Sequence, residues 1–464
     1  MPEGTEKGSA LSGAEYGKTA SFLAVGVGLT GVITYAYFLI ASHVLSKTDY
    51  GQITVLWSAV FITISTLYRP IEQLLSRHIS ERRVKGQPIG EPMRVASTIQ
   101  LGLSLLFTVL ALALRGPIQD DLLDGSSTLY WVFFSSVLFY AASYFARGFL
   151  AGAQRFGLFI ALILSESCFR TIFPVMVAIG ILSGQSAVAI GITAAPVLSL
   201  IVVPFAFVRR AKQAQDSPGT AGRKAEDPPE DFSMRSGGGF AAAVLVIMLS
   251  EQAFLNAGPL VIRGLQGAAA AGFIFNVLML ARAPLQLFQA VSTSILPHLT
   301  TLHASEDPDS GRQFDHTVRM VLLGILAFTA LVLVVVMIAG PQLMQLAFSN
   351  KFTYDRAGLM LVGVGMGLYL CSVTVNQACI AQGQVRRAAV CWISCAAAFI
   401  AWNFVPLVSD EFRRVEIGFL LAAGLLFAFL YYVYGHPHGR RSDVPRPGSP
   451  EELEARLAML DEQV

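Results

Sequence analysis

Charged residues in this chain sit almost entirely in short segments between about a dozen apolar runs, each of bilayer-spanning length, and Glu166, Arg170, Glu251 and Arg282 break the rule. The runs fall at 20–43, 50–70, 95–114, 128–147, 156–181, 186–208, 240–262, 269–298, 317–340, 356–380, 388–408 and 414–434. At about 1.5 Å per residue, each covers the ~30 Å of bilayer hydrocarbon as a helix. The runs are continuous and do not alternate in polarity, which argues against barrel strands. Hydrophobic residues make up 54% of the 464, and nothing between the runs is large enough to be a catalytic domain. The expectation is an all-α polytopic membrane protein with about 12 transmembrane helices, and no enzyme. No Walker loop, Rossmann fingerprint, HExxH or nucleophile elbow is present.

The basic residues orient the chain. With the N-terminus in the cytoplasm, about 24 of the 33 Lys and Arg fall on the cytoplasmic side and about 7 outside. The acidic loop with Asp120, Asp121 and Asp124 then lies outside. Both termini are expected in the cytoplasm, in a multi-pass protein of the cytoplasmic (inner) membrane. The cysteines Cys168, Cys371, Cys379, Cys391 and Cys395 all lie in or beside apolar runs, so no structural disulfide is expected.

The runs divide six and six. Residues 1–19 read as a cytoplasmic tail, 20–208 as an N-terminal bundle and 240–434 as a C-terminal bundle. Between them, 209–239 contains QAQDSPGTAGRKAEDPPED and reads as a flexible cytoplasmic linker. Residues 435–464 read as a cytoplasmic tail. Ser449 and Pro450 start a short amphipathic helix there, with Leu453, Leu457 and Leu460 on one face.

Two internal echoes suggest a repeat. LSKTDYGQITVLWSAVFITISTLYRPIEQLLSRHIS and LQGAAAAGFIFNVLMLARAPLQLFQAVSTSILPHLT hold equivalent places, with Gly51 and Gly272 near their starts. FLAGAQRFG and CIAQGQVRR link the fourth and fifth runs of their halves, with Ala151/Gln154 matching Ala381/Gln384. Six spans per half makes the halves parallel, with a cavity expected between them.

Ionisable groups at membrane depth are costly unless they face protein or water. Glu166 and Arg170, four apart on one helical face, read as an ion pair or as an acid beside an anion-binding cation. Glu251 lies near the midplane with Gln252 and Asn256 close by, and Arg282 is its expected partner. Arg282, Gln286 and Gln289 form a polar stripe at i, i+4, i+7, expected to face the interior and to grip phosphate or carboxylate. Arg69 opens RPIEQLLSRHISERR at the cytoplasmic end of the second run. An arginine there ordinarily snorkels to lipid headgroups, and it could instead guard an entrance.

LSKTDYGQITVLWS, RGFLAGAQRFG and AAAAGFIFNVLMLARAPLQLFQAVSTSILPHLTTL together resemble the polysaccharide-biosynthesis branch of the multidrug/oligosaccharidyl-lipid/polysaccharide (MOP) exporter superfamily, over about 20–434. The resemblance implies two six-helix bundles in a MATE-like fold, with a central V-shaped cavity and alternating access. It implies a flippase for isoprenoid-diphosphate-linked oligosaccharides in cell-surface polysaccharide biosynthesis, with Arg69, Arg170 and Arg282 as candidate diphosphate ligands. The family often pairs an Asn with an acid in the seventh span. Asn256 is present here, the acid's position is apolar, and Glu251 lies a turn and a half earlier.

The expected substrate-binding set is therefore Arg282, Gln286, Gln289, Arg170, Arg69, Asn256 and Gln252. Glu251 and Glu166 are the candidates for ion or proton coupling. No cofactor or metal is expected, and energy would come from Na+, H+ or membrane potential. Expected partners are the lipid-linked glycan, membrane lipids and polysaccharide-synthesis enzymes, with no nucleic acid. The alternatives are an ion-coupled multidrug or metabolite exporter on the same fold and a non-transporting scaffold for envelope biosynthesis.

Overall fold

The structure is a computed structural model that describes residues 13–84, 86–204, 234–280, 310–348 and 354–436. Among these residues every regular element is a helix. The long ones are α1 (Gly13–Val44), α2 (Lys47–Leu67), α3 (Arg69–Val84), α4 (Gly90–Ala113), α5 (Ser127–Gly152), α6 (Phe156–Ala178) and α7 (Gly184–Ser199). They continue with α8 (Met234–Gln266), α9 (Ala268–Leu280), α10 (Ser310–Phe348), α11 (Arg356–Ala381), α12 (Val385–Phe404) and α13 (Glu411–Gly435). Among the described residues, eleven helical segments are long and apolar enough to cross a membrane, and α9 is a shorter apolar helix.

Packing divides the helices into two groups. In the first, α1 packs on α6, α6 on α7, and α5 on both α3 and α7. In the second, α8 packs on α12, α11 on α13, α10 on α11 and α12 on α13. The two groups meet where α2 crosses α8 and where α1 touches α10. One end of the molecule carries the links at 153–155 and 382–384 and is called proximal here. The distal end carries the loops at 45–46, 114–126, 179–183, 267 and 405–410. Several helices that start at the distal end are capped by side chains: Ser46 accepts from the Asp49 amide (3.1 Å), Ser126 from Leu129 (3.3 Å) and Asp410 from Phe412 (3.0 Å).

Helix bounds differ from the apolar runs for a common reason. The second run stops at residue 70, yet α2 and α3 form one 37-residue helical segment, Lys47–Arg83. Beyond Arg69 this segment is amphipathic: Ile71, Leu75 and Ile79 are buried while Arg77 and Glu81 face outward. Mean hydropathy falls there while helical periodicity persists. Likewise α10 spans Ser310–Phe348, well past the run 317–340. Helix α8 begins at Met234, inside the stretch read as linker. The rest of that linker, the tail helix at 449–460, and Arg282, Gln286 and Gln289 lie outside the described residues.

The internal repeat is visible in backbone geometry. After α5, Gln154 N donates to Ala151 O (2.9 Å) and Arg155 N to Leu150 O (2.8 Å). After α11, Gly383 N donates to Ile380 O (3.0 Å) and Gln384 N to Cys379 O (2.8 Å). Both are Schellman turns, with left-handed residues Gln154 (φ 54) and Gly383 (φ 76) at the same position. The equivalence is thus Gln154 with Gly383, one residue off the Ala/Gln match read from sequence. Gly51 and Gly272 lie against one another: a methyl on Gly272 would sit 2.9 Å from the Gly51 Cα. A methyl on Gly51 would overlap the Ala268 carbonyl. Only glycine lets α2 and α9 approach this closely.

Candidate functional site

A cavity of about 490 Å³ lies between the two halves. Its first wall comes from α1, α2, α5 and α6, including Tyr35, Trp57, Phe61, Arg147, Glu166, Ser167 and Arg170. Its second wall comes from α8 and α9 and includes Gln252, Leu255, Asn256 and Met279. Of the residues expected from sequence, Glu166, Arg170, Gln252 and Asn256 therefore share one cavity.

Glu166 and Arg170 do form an ion pair, with Arg170 Nη2 at 3.3 Å from Glu166 Oε1. It is not self-contained. Arg147 Nη2 donates to Glu166 Oε2 at 2.5 Å, and Ser143 Oγ donates to the same oxygen at 2.9 Å. Arg147 is a charged cavity residue that sequence reasoning missed. It closes the fourth apolar run, where an arginine reads as interfacial, and only the packing of α5 on α6 turns it inward. The described residues of the cavity wall hold two guanidiniums and one carboxylate, with Glu72 in electrostatic range of Arg147 just outside the lining. Glu166 and Arg170 are each only 3% exposed, so this cluster sits largely out of water. Charge-assisted hydrogen bonds are strongest in such surroundings.

Aromatic faces hold the two cations in place. The Arg170 guanidinium lies 4.6 Å from the Trp57 ring centre and 5.9 Å from that of Phe61. Arg147 lies 4.7 Å from the Tyr144 ring centre. Arg147 Nε, Arg170 Nε and Ser167 Oγ are buried and have no hydrogen-bond partner among the described residues. Spare donors of this kind, beside a cavity, are what an anion with several oxygens would satisfy.

The described residues of the opposite wall are neutral. Asn256 Nδ2 donates to Gln252 Oε1 at 3.0 Å, so the two amides present one joined polar face. Neighbouring Glu251 points elsewhere. Its partner among the described residues is Arg69, at 3.8 Å across the two halves, where Arg282 had been expected. This corrects the reading of Arg69 as a residue at a helix end. Because α2 continues into α3, Arg69 sits within a helix and reaches the facing half.

Distal to the cavity the halves are in close contact. Besides the Gly51–Gly272 crossing, Tyr50 donates to Asn276 and Arg263 pairs with Asp124. Gln52 Nε2 supports the same aspartate at 2.6 Å, and Gln185 Nε2 donates to Gln52 at 2.5 Å. Phe38 also packs on Phe275, with ring centres 4.6 Å apart.

No family model matches the chain, and no curated protein matches it. Solved structures do. One, an inward-facing multidrug resistance MATE family transporter of the MOP superfamily, aligns with TM-score 0.59 at 14% identity, over 90% of this chain and 94% of that one. An outward-facing structure of a transporter so described aligns with TM-score 0.59 at 14% identity, over 90% and 96%. The eukaryotic MATE transporter AtDTX14 aligns with TM-score 0.58 at 14% identity, over 90% and 95%. The chain is a multi-pass membrane protein with the MATE fold.

Proposed function

We propose that this chain moves an isoprenoid-diphosphate-linked oligosaccharide across the membrane by alternating access of the central cavity. The observation that carries this reading is the Arg147–Glu166–Arg170 cluster, with two guanidiniums around one carboxylate and spare buried donors. A diphosphate would take the donors of Arg147, Arg170 and Ser167. The amides of Gln252 and Asn256 suit sugar hydroxyls, and an isoprenoid tail would stay in lipid. Arg282, Gln286 and Gln289 remain proposed ligands from the eighth span. Energy would come from an ion gradient or the membrane potential, with Glu166 and Glu251 as the carboxylates available for coupling. With the proximal end in the cytoplasm, the headgroup would enter from that side.

A second reading has its own support. The similar solved structures include multidrug resistance transporters, and the aromatic lining of Tyr35, Trp57 and Phe61 would equally suit a small amphiphilic compound. The test is to deplete the protein in its host and quantify isoprenoid-diphosphate-linked oligosaccharides by mass spectrometry, together with their reactivity toward a membrane-impermeant glycan probe. Accumulation of one species shielded from the probe is the expected result. Unchanged glycolipids together with new sensitivity to cationic compounds would favour the second reading.

A further inference from the structure

The two ends of the interface between the halves are held very differently. At the distal end the contact is backbone against backbone at Gly51 and Gly272, reinforced by Tyr50–Asn276 and by the Asp124–Arg263 pair with Gln52 and Gln185 behind it. Arg69 lies about 27 Å further along the same helix, at 1.5 Å per residue. There the described contact between charged groups of the two halves is the single pair Arg69–Glu251, at 3.8 Å, with side chains 38% and 20% exposed. A loose, partly hydrated pair of this kind is weak enough for a competing anion to displace.

The surroundings of Arg69 show what could replace Glu251. Its guanidinium lies in the electrostatic range of Glu72 and Tyr144 from its own half and of Glu251 and Tyr369 from the facing half. Glu72 in turn lies in range of Arg147, which lines the cavity. Arg69 therefore stands one step outside the Arg147–Glu166–Arg170 cluster, on the proximal side, paired among the described residues with one carboxylate oxygen of the other half. A diphosphate offers several oxygens and can take both terminal nitrogens of the guanidinium together, which one distant carboxylate oxygen does not.

We propose that Arg69 and Glu251 form an anion-displaceable latch across the proximal mouth of the cavity. An arriving anionic headgroup takes Arg69 from Glu251, unfastens the halves at that end and is passed inward to Arg147 and Arg170. Glu251 is then a stand-in for the substrate's own charge, and the pair selects for anions. This inference rests on the reading of the cavity as a site for anionic headgroups.

The test uses the full-length protein in detergent with inorganic pyrophosphate as probe. Proximal opening is read by electron–electron resonance between spin labels carried on unnatural amino acids at Gln87 and Arg386, both exposed at that end. Pyrophosphate affinity is measured in parallel. Wild type should lengthen the label distance on binding pyrophosphate. Glu251→Gln should show the long distance without ligand and bind pyrophosphate about fivefold tighter, the scale of one lost exposed ion pair. Arg69→Gln should open likewise and bind more weakly. The double reversal, Arg69→Glu with Glu251→Arg, should restore the short distance, which a merely misfolded single variant would not allow. Pyrophosphate binding that depends on Arg170, with wild type and Glu251→Gln equal in distance and affinity, overturns the latch and leaves the cavity reading intact. Failure of every protein, wild type included, to bind pyrophosphate overturns both.

Discussion

The two halves share a backbone plan and differ in chemistry. Equivalent helices end in the same Schellman turn, at 153–155 and 382–384, and equivalent spans meet at Gly51 and Gly272. The N-terminal half nonetheless brings Arg147, Glu166 and Arg170 to the shared cavity, while the C-terminal half brings the amides of Gln252 and Asn256. The C-terminal half does bury charge, but elsewhere. Arg413 bridges Asp355 (2.8 Å) and Glu416 (2.9 Å) near the distal end, and Arg414 caps the Val408 carbonyl (2.6 Å). Those groups satisfy one another, whereas the N-terminal cluster keeps unpaired donors. A duplicated scaffold can thus keep its symmetry in turns and crossings, where backbone geometry is at stake, while one wall alone specialises.

The largest test of this asymmetry is Glu166→Ala. It strands two guanidiniums around a vacated carboxylate and should cost about 3–5 kcal/mol, the range for breaking a buried charge network. Thermal unfolding in detergent would read it, and Glu416→Ala should cost less, since Arg413 keeps Asp355. Next, Gly51→Val should force α2 and α9 apart at a cost of about 1–3 kcal/mol and increase labelling of distal cysteines placed beside that contact. Within the cavity, Arg170→Gln should weaken pyrophosphate binding at least about tenfold, as expected for a lost charged hydrogen bond. Asn256→Ala should change it less than about twofold, because a neutral amide contributes less than a guanidinium to binding an anion. A larger effect at Asn256 than at Arg170 would erase the distinction between the walls. The smallest effect should come from Gln154→Gly, which relieves a left-handed residue and should stabilise by up to about 1 kcal/mol, with Gly383→Gln doing the reverse.

Much of this architecture was legible in the residues. Apolar runs located the spans, because a bilayer demands long uncharged helices. The spacing of Glu166 and Arg170 gave their pairing, because four residues return a helix to the same face. Gly51 and Gly272 were visible as repeat marks, though not as residues that touch. The rest depended on tertiary packing. Arg147 looked interfacial because only the neighbouring helix supplies its carboxylate. Arg69 looked terminal because hydropathy ends where an amphipathic helix continues. The partner of Glu251 lies in the other half of the chain, beyond the reach of any local pattern. Arg282, Gln286 and Gln289 lie outside the described residues, and their place in the cavity stays a proposal.

The most direct measurement of the central claim is transport in proteoliposomes. A labelled isoprenoid-diphosphate oligosaccharide would be placed in one leaflet and its arrival in the other followed with a membrane-impermeant probe, for wild type and for Arg170→Gln. The account predicts protein-dependent movement that slows at least about tenfold in the variant. Wild-type protein that leaves the lipid where it was placed, or a variant that moves it at the wild-type rate, would contradict it.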